Sequence, residues 1–358
     1  MVLHHVALGL KASRPGGRIE VVRHGSELAA ARKQRAPKSG GLGDAIAKLL
    51  PAAAPIHLGP TMTAREAFAA VALNCSAHVM ACTNYAGRSD DPEGIHQLRV
   101  AIRRMRSALS IFQDAALKNH RFRISGELHA LQLTLGSARE CDVLIEDTLG
   151  RLPARLRRDR AVRDVIALAR ARSTAAHKSA RTVLHGTRCR GLLRRLHVWI
   201  DREFIYGPQR LQNPHWNRAA LARPARVAVA DVLTAYHDRT CRLGRKLREL
   251  DTPGLHRLRI RIKKLRYATE FFGTLWPGRA TKRYLAALKD LQKTLGQLHD
   301  NATAPGLVIR LRSRDRATGT RTTTALERWL AKDQREGRKE AAVLWDRFAA
   351  RAPFWKRR

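Results

Sequence analysis

The chain has 358 residues and carries 69 Lys and Arg against 30 Asp and Glu, a formal net charge of +39 at pH 7. Apolar residues make up 44% of it, which is enough to bury a core and excludes a disordered basic tail. So large a positive charge attracts polyanions and speeds their association, but it does not determine the fold.

The cysteines and the apolar runs narrow the class of protein further. Five cysteines are scattered without a C-x-x-C pair, at Cys75, Cys82, Cys141, Cys189 and Cys241. This spacing argues against a zinc cluster or a disulfide framework and predicts buried free thiols. No stretch approaches the roughly 18 apolar residues of a membrane span, and Val6–Leu10 is too short for a signal-peptide core. We therefore expect a cytoplasmic protein that does not enter a membrane.

Residues 1–60 are rich in Gly, Pro, Ala and Arg, and their Gly and Pro positions interrupt any long element. We predict that most of this segment is flexible. It holds nine Lys and Arg and three Asp and Glu, a net charge of +6, so the other 298 residues carry the remaining +33. The excess positive charge therefore belongs to the folded part of the chain.

Helical patterns begin at residue 61. Thr61 or Thr63 can cap a helix that continues from Ala64 to about Tyr85 without Gly or Pro. In Ile95–Phe112 the apolar residues recur at steps of three and four, the stripe of an amphipathic helix. Further helices are predicted at Phe122–Leu135, Cys141–Thr148, Ala161–Leu184 and Arg190–Ile205. Val, Ile and Thr never alternate over a sustained run, so we expect an all-α fold with no strands of consequence.

The second half of the chain repeats the first at an offset of 160 residues. Of the 17 positions from His96 to Phe112, seven are identical in His256–Phe272, and Leu131–Gly136 matches Leu291–Gly296 without a gap. A tandem duplication predicts two antiparallel bundles of about four helices each, related by a pseudo-twofold axis. We place the first repeat at about 61–206, a linker at about 207–220 and the second repeat at about 221–355.

A basic helix face occurs in both repeats. At 3.6 residues per turn, His96, Arg99, Arg103 and Arg106 fall on one side of the first helix, with Arg104 on its flank. Between residues 95 and 112 there is no Asp or Glu. Like charges three or four residues apart repel by a few tenths of a kcal/mol, so a helix selected only for stability would include acids. A solvated Arg-rich face is the alternative, but its occurrence in two matching helices favours a bound anion.

Several observations narrow the kind of anion. Single-stranded nucleic acids need stacking platforms, whereas aromatic residues make up only 5% of the chain. We find no helix-turn-helix, zinc-finger or RNP signature. A phosphate ligand without bases fits better, and general nucleic-acid binding is the second hypothesis.

Catalysis finds little support in the motifs. H-E-x-x-H, the Walker A loop and G-x-S-x-G do not occur. The acidic constellation around Arg139 and Asp142, with Asp300 in the second repeat, could hold a metal, so a metal-dependent phosphate-processing enzyme that uses these acids with His96 and His256 is a third hypothesis. More often such acids orient neighbouring arginines. Gly136 and Gly296 precede these acids in both repeats and indicate close helix contact or a helix break.

Together these motifs resemble the CHAD family, the conserved-histidine α-helical domain, over about residues 61–355. The matching residues are His96-x-x-Arg99-Val-Ala-x-Arg103-Arg104-x-Arg106, Leu135-Gly136-x-x-Arg139-x-x-Asp142, His256-x-x-Arg259-Ile-x-x-Lys263-Lys264-x-Arg266 and Leu295-Gly296-x-x-x-Asp300. The resemblance implies two pseudo-symmetric four-helix bundles that bind inorganic polyphosphate on a central basic surface, in some members on polyphosphate granules. Glu140 stands where the family often has Asp. Many members carry an N-terminal triphosphatase-type domain, for which residues 1–60 are too short, so we expect no hydrolysis and no cofactor.

Carried over residue by residue, the resemblance implies a set of phosphate contacts in each repeat. The predicted contacts are His96, Arg99, Arg103, Arg104, Arg106, His256, Arg259, Lys263, Lys264 and Arg266, with Lys289 as a weaker addition. Arg139, Asp142 and Asp300 are predicted to orient the site.

Overall fold

A computed structural model of the chain describes residues 8–10, 21–23, 51–89, 91–116, 123–205, 217–312 and 323–356. Two strands of three residues each, β1 (Leu8–Leu10) and β2 (Val21–Arg23), pair antiparallel with Leu8 opposite Arg23. We predicted no strands of consequence, and strands this short leave no alternation to detect. The helical remainder confirms the all-α fold.

The first half contains seven helices within the described residues. They are α1 (Ala64–Arg88), α2 (Pro92–Ala116), α3 (Arg123–Thr134), α4 (Gly136–Val143), α5 (Ala154–Arg157), α6 (Arg160–His185) and α7 (Thr187–Ile200). Thr63 caps α1 as predicted, because its hydroxyl accepts from the Glu66 amide while the Glu66 carboxylate accepts from the Thr63 amide. Single π-helical turns at Leu144–Thr148 and Asp201–Ile205 continue α4 and α7.

The second half contains five helices within the described residues. They are α8 (Arg218–Ala222), α9 (Ala225–Gly244), α10 (Thr252–Phe272), α11 (Arg279–Arg312) and α12 (Thr323–Ala349). Asn217 caps α8 through the Ala220 amide (3.1 Å), so helix begins inside the linker that we placed at 207–220. Residues 207–216 of that linker lie outside the described residues.

Contacts between the halves come in reciprocal pairs. The Ala64 amide donates to the Arg223 carbonyl (2.9 Å) and the Ala225 amide donates to the Met62 carbonyl (2.8 Å). A twofold relation between helices produces contacts of this kind, in which each partner repeats the role of the other. The pseudo-twofold symmetry of the two complete bundles stays a prediction.

One hydrophobic core joins the two halves. Phe68 of α1 stacks on Phe112 of α2 (ring centroids 4.6 Å apart) and meets Phe272 of α10 edge-on (5.9 Å). A second, smaller core lies where α6, α11 and α12 meet and includes Val165, Val308 and Leu330. None of the described helices is long and apolar enough to cross a membrane.

Residues 51–60 pack against the helices instead of forming part of a flexible arm. Ile56 and Leu58 belong to the main core, and the Leu58 amide donates to Thr274 Oγ1 (3.3 Å). The chain therefore already packs against the helices before residue 61, where we placed the start of the first repeat. A Pro- and Ala-rich extended segment has no periodicity by which sequence could reveal its packing.

Candidate functional site

Helices α2 and α10 place the two copies of the basic face next to each other. The apolar stripe of α2 is fully buried, with Leu98, Ile102 and Met105 at 0% exposure, and the stripe of α10 is buried in the same way. The basic residues on the face shared by the two copies are half-buried, namely Arg99, Arg103, Arg106, Arg259, Lys263 and Arg266. Packing of the stripes therefore brings cations of both repeats to one partly enclosed surface.

Four cations form what we call the central cluster, namely Arg99, Arg103, Arg259 and Lys263. Burial, followed by the charges of Arg259 and Arg103, lowers the pKa of Lys263 to about 6. Burial, followed by the charge of Arg103, lowers the pKa of Arg99 to about 10. Arg103 thus acts on cations of both repeats, which places it at their junction. A cluster of this kind is a strong local source of positive potential.

Asp300 of α11 is a carboxylate beside the second-repeat half of the cluster. Burial raises its pKa, while Arg259, Lys263 and Arg139 oppose the rise. Its charge in turn favours the protonated forms of Arg259 and Lys263. This placement supports the predicted orienting role of Asp300, although one half-buried carboxylate offsets only part of the charge of the cluster.

The two recurring glycines lie directly beneath cluster arginines. A Cβ atom on Gly136 would lie 3.7 Å from Arg99 Nη1, and a Cβ on Gly296 would lie 3.7 Å from Arg259 Nε. We predicted either close helix contact or a helix break at these glycines. In the first repeat both occur, because Leu135 also separates α3 from α4 at this point. In the second repeat α11 continues through Gly296. Close approach of the guanidinium group is therefore the feature that both repeats share.

The outermost arginine of each motif makes the same contact in both repeats. Arg106 donates to Gln132 Oε1 (2.9 Å), and Arg266 donates to Gln292 Oε1 (2.7 Å). The two glutamines match in the sequence repeat, and that recurrence is the signal from which their role could have been predicted. Arg266 is also paired with Glu270 (2.5 Å).

Several donors at the site are buried and have no hydrogen-bond partner among the described residues. They are Nε of Arg103, Arg106 and Arg259; Nε of Arg104, on the flank, and Nδ1 of His96, a donor or an acceptor according to its tautomer, are likewise without a partner among these residues. A buried donor without an acceptor costs about 1–3 kcal/mol. The site can therefore gain free energy by accepting a ligand that supplies oxygen acceptors.

The histidines of the two repeats differ in their surroundings. His256 Nδ1 lies 3.2 Å from His299 Nδ1, and the ring centroids are 4.4 Å apart. Burial, with the charge of Arg259 next, lowers the pKa of His299 to about 4. Burial, with the charge of Arg139 next, lowers the pKa of His96. We did not predict His299 as a site residue, because its contact with His256 depends on the packing of α10 against α11.

Three predicted phosphate contacts lie apart from the central cluster. Arg104 pairs with Glu270 (3.7 Å) and lies over the Phe271 ring (5.1 Å). Lys264 is exposed and donates to Ser110 Oγ (3.1 Å). Lys289 is exposed on α11. Arg104 and Lys264 occupy the same position of the repeat and both reach across to the other basic helix.

The two residues of the first repeat that were predicted to orient the site, Arg139 and Asp142, have partners of their own. Asp142 is buried and accepts from Ser173 Oγ (2.7 Å) and His177 Nε2 (3.1 Å) on α6. Arg139 pairs with Asp147 (3.2 Å) and Glu146 (3.5 Å). In the part of the chain that the structure describes, no three His, Cys, Asp or Glu side chains are grouped so that they could hold a metal ion.

Comparison with known proteins identifies the family to which the chain belongs. The family model of the CHAD domain matches residues 70–308. The crystal structure of the CHAD domain from the plant Ricinus communis superposes with a TM-score of 0.71 at 26% identity, over 83% of this chain and 96% of that one. PptA from Streptomyces chartreusis superposes with a TM-score of 0.59 at 15% identity, over 80% of this chain and 99% of that one, a likeness of fold alone. No curated protein matches the chain. With two thirds of its length matched by the family model and its basic helices in place, the chain belongs to the CHAD domain family.

Proposed function

We propose that the protein binds inorganic polyphosphate at the central cluster, without catalysing its hydrolysis. The observation that carries the proposal is the convergence of Arg99 and Arg103 from one repeat with Arg259 and Lys263 from the other. Their mutual repulsion contributes to the lowered pKa values of Arg99 and Lys263. A chain of phosphate groups would replace this repulsion with charge-assisted hydrogen bonds.

The buried arginine donors support a ligand made of oxygen acceptors. The Nε atoms of Arg103 and Arg259 have no acceptor among the described residues. Phosphate oxygens fit guanidinium groups in geometry as well as in charge. Membership of the CHAD family supports the same ligand, because the family resemblance implies binding to polyphosphate.

Nucleic acid is a weaker candidate for this site. The aromatic rings of α2 and α10, including Phe112, Tyr267 and Phe272, are buried. Bases would therefore find no exposed ring of either helix on which to stack. Binding of phosphate chains needs only the cations, and it requires neither a metal ion nor a nucleophile.

Titration with two ligands of matched charge tests the proposal. We expect long-chain polyphosphate to bind more tightly than single-stranded RNA at physiological salt, measured by calorimetry on the full chain. The double variant Arg99→Gln/Arg259→Gln should lose at least about 100-fold in affinity for polyphosphate, since each charge-assisted hydrogen bond contributes roughly 1.5–3 kcal/mol.

The matched control is Arg188→Gln/Arg347→Gln, which removes the same charge from exposed positions on α7 and α12. It should retain affinity within about threefold, because exposed single charges contribute little. Equal or tighter RNA binding, or an equal loss in the control, would refute the proposal. A phosphate-release assay with divalent cations checks the absence of hydrolysis, and microscopy against stained granules checks whether the protein collects on polyphosphate in cells.

A further inference from the structure

A second basic surface lies on the other side of α10, in a groove between α9 and α10. This flank groove has a volume of about 810 Å³ and is lined by Tyr236, Arg239, Thr240, Arg242, Leu243, Lys246, Arg257, Ile260, Arg261 and Lys264. Six of these ten residues are cations and none is Asp or Glu. Its volume falls in the range of roughly 300–1,000 Å³ that is typical of ligand sites.

The equivalent groove of the first half is occupied by the extended segment 51–58. The Pro51 carbonyl accepts from His78 Nε2 (3.2 Å), and the Ala54 carbonyl accepts from Asn74 Nδ2 (2.9 Å). Arg104 of α2 reaches the same place, since its Nη2 lies 3.5 Å from Asn74 Oδ1. Main-chain carbonyls of Pro51 and Ala54 thus hold the start of the segment on α1, and Ile56 and Leu58 bury its end in the main core.

Helix α9 presents the corresponding face. The reciprocal hydrogen bonds of Ala64 and Ala225 set the offset between α1 and α9 at 161 residues. At this offset every buried position of α9 matches a buried position of α1, as Val229 matches Phe68 and Thr240 matches Val79. The same offset places Arg239 where α1 has His78. Cys82 and Arg104 line the groove of the first half. Their counterparts in the repeat, Leu243 and Lys264, line the flank groove.

Apart from Lys264, the cations of the flank groove are not part of the repeated motif. Arg257 and Arg261 of α10 correspond to Gln97 and Ala101 of α2, and Ala101 is fully buried. The second half has therefore acquired exposed charge at positions where the first half has neutral residues. Ile260, which is 42% exposed, adds an apolar surface between these charges.

We propose that the flank groove binds an acidic segment of a partner polypeptide in extended conformation. Carboxylates would face the cations of the rim, and apolar side chains would pack on Leu243 and Ile260. Burial of apolar side chains together with charge pairing gives such a peptide a favourable interaction that a bare phosphate chain lacks. The Tyr236 ring is buried and its hydroxyl donates to Asp114 (2.6 Å), so no free ring serves a nucleic-acid base.

No segment of this chain outside the described residues has the complementary charge. Residues 1–50 contain nine Lys and Arg against three acids, residues 206–216 contain no acid, and residues 313–322 contain one Asp against three Arg. Like charges on ligand and groove repel. We therefore assign the groove to a partner polypeptide and not to one of these segments.

The test uses a peptide derived from the segment that fills the equivalent groove of the first half. Its sequence is that of residues 51–58 with Ala52, Ala53 and His57 replaced by Glu, and it carries a fluorescent label. We expect binding to the full chain by anisotropy. Arg257→Glu/Arg261→Glu should weaken binding at least tenfold, whereas Arg188→Glu/Arg347→Glu, with the same change of net charge, should alter it less than threefold.

Two further measurements separate this groove from a general anion surface. A second peptide, in which the positions of Ile56 and Leu58 carry Ser, should bind several-fold more weakly. Saturating polyphosphate should leave binding of the first peptide within about threefold. Equal binding of the two peptides, displacement by polyphosphate, or insensitivity to the Arg257→Glu/Arg261→Glu variant would each overturn the proposal.

Discussion

Helices α2 and α10 carry the same basic motif in different surroundings. In α10, Arg266 is held by Glu270 as well as by Gln292 and lies 4.2 Å from the Tyr267 ring centroid. Position 110 of α2, the equivalent of Glu270, is Ser. Arg106 therefore has the contact with Gln132 but no counterpart of the ion pair between Arg266 and Glu270. The second repeat thus neutralises its outer cation within its own helix, and the first repeat does not.

The difference separates the motif cations into two groups. Among the inner residues, Arg103 acts on Arg99 of its own repeat and on Arg259 and Lys263 of the other, and these four form the central cluster. The adjacent positions, Arg104 and Lys264, join the two helices, with Glu270 as the partner in one case and Ser110 in the other. One motif therefore supplies both a charged surface and a helix–helix contact, and substitutions can distinguish the two roles.

The largest effect on stability is expected at Arg104. Arg104→Gln removes an ion pair in which both side chains are mostly buried, at 13% and 16% exposure, and it removes the contact with the Phe271 ring. We expect a loss of about 1–3 kcal/mol in the free energy of unfolding. The loss is not larger because Glu270 keeps its ion pair with Arg266 and is not left as an unpaired charge. Urea unfolding measures this loss, and polyphosphate affinity of the folded protein should stay within about threefold.

Lys264→Gln is the matched variant at the equivalent position. Its side chain is exposed and its partner is neutral, so the change in the free energy of unfolding should stay within about 0.5 kcal/mol. A similar loss in both variants would show that the ion pair with Glu270 does not distinguish the two positions. A large loss of polyphosphate affinity in Arg104→Gln would show that Arg104 contributes to polyphosphate binding.

Lys263 links polyphosphate binding to protonation. Its pKa of about 6 in the folded protein lies below its ordinary value, so the unfolded chain binds more protons between these values and the stability of the free protein rises with pH there. A bound polyanion should raise the pKa and draw a proton onto the amine. Affinity should therefore fall as pH rises from about 6 to 8, with uptake of up to about one proton on binding.

Calorimetry in buffers of different ionisation enthalpy measures this proton uptake. The groups whose charges act on Lys263 are Arg259, Arg103, Asp300 and Arg266, and His256 and His299 lie near enough for Lys263 to lower their pKa values. Lys263→Met should reduce the uptake, weaken binding about tenfold and raise the free energy of unfolding by about 1 kcal/mol, because a desolvated amine is removed. Unchanged proton uptake in this variant would assign the linkage to the histidines.

Much of the fold and part of the site could be predicted from the sequence. The long amphipathic stripe of α2 and the 160-residue repeat led to the helices, the duplication and the four cations of the central cluster. Local periodicity placed Arg104 on the flank of the basic face, but it could not reveal the role that separates Arg104 from Arg103, because the partner of Arg104, Glu270, lies in the other repeat. His299 was missed for the same reason, since its contact with His256 arises only when α10 and α11 pack together.

The smallest expected effect concerns the glycines beneath the cluster. Gly296→Ala should raise the free energy of unfolding by up to about 1 kcal/mol, because Ala is the better residue inside a continuous helix. The new Cβ would lie 3.7 Å from Arg259 Nε, an ordinary contact, so polyphosphate affinity should be unchanged. Gly136→Ala should gain less, since Gly136 begins α4 directly after the break at Leu135. Thermal unfolding of both variants checks this order, and equal gains would show that the helix break does not relieve the cost of glycine in the first repeat.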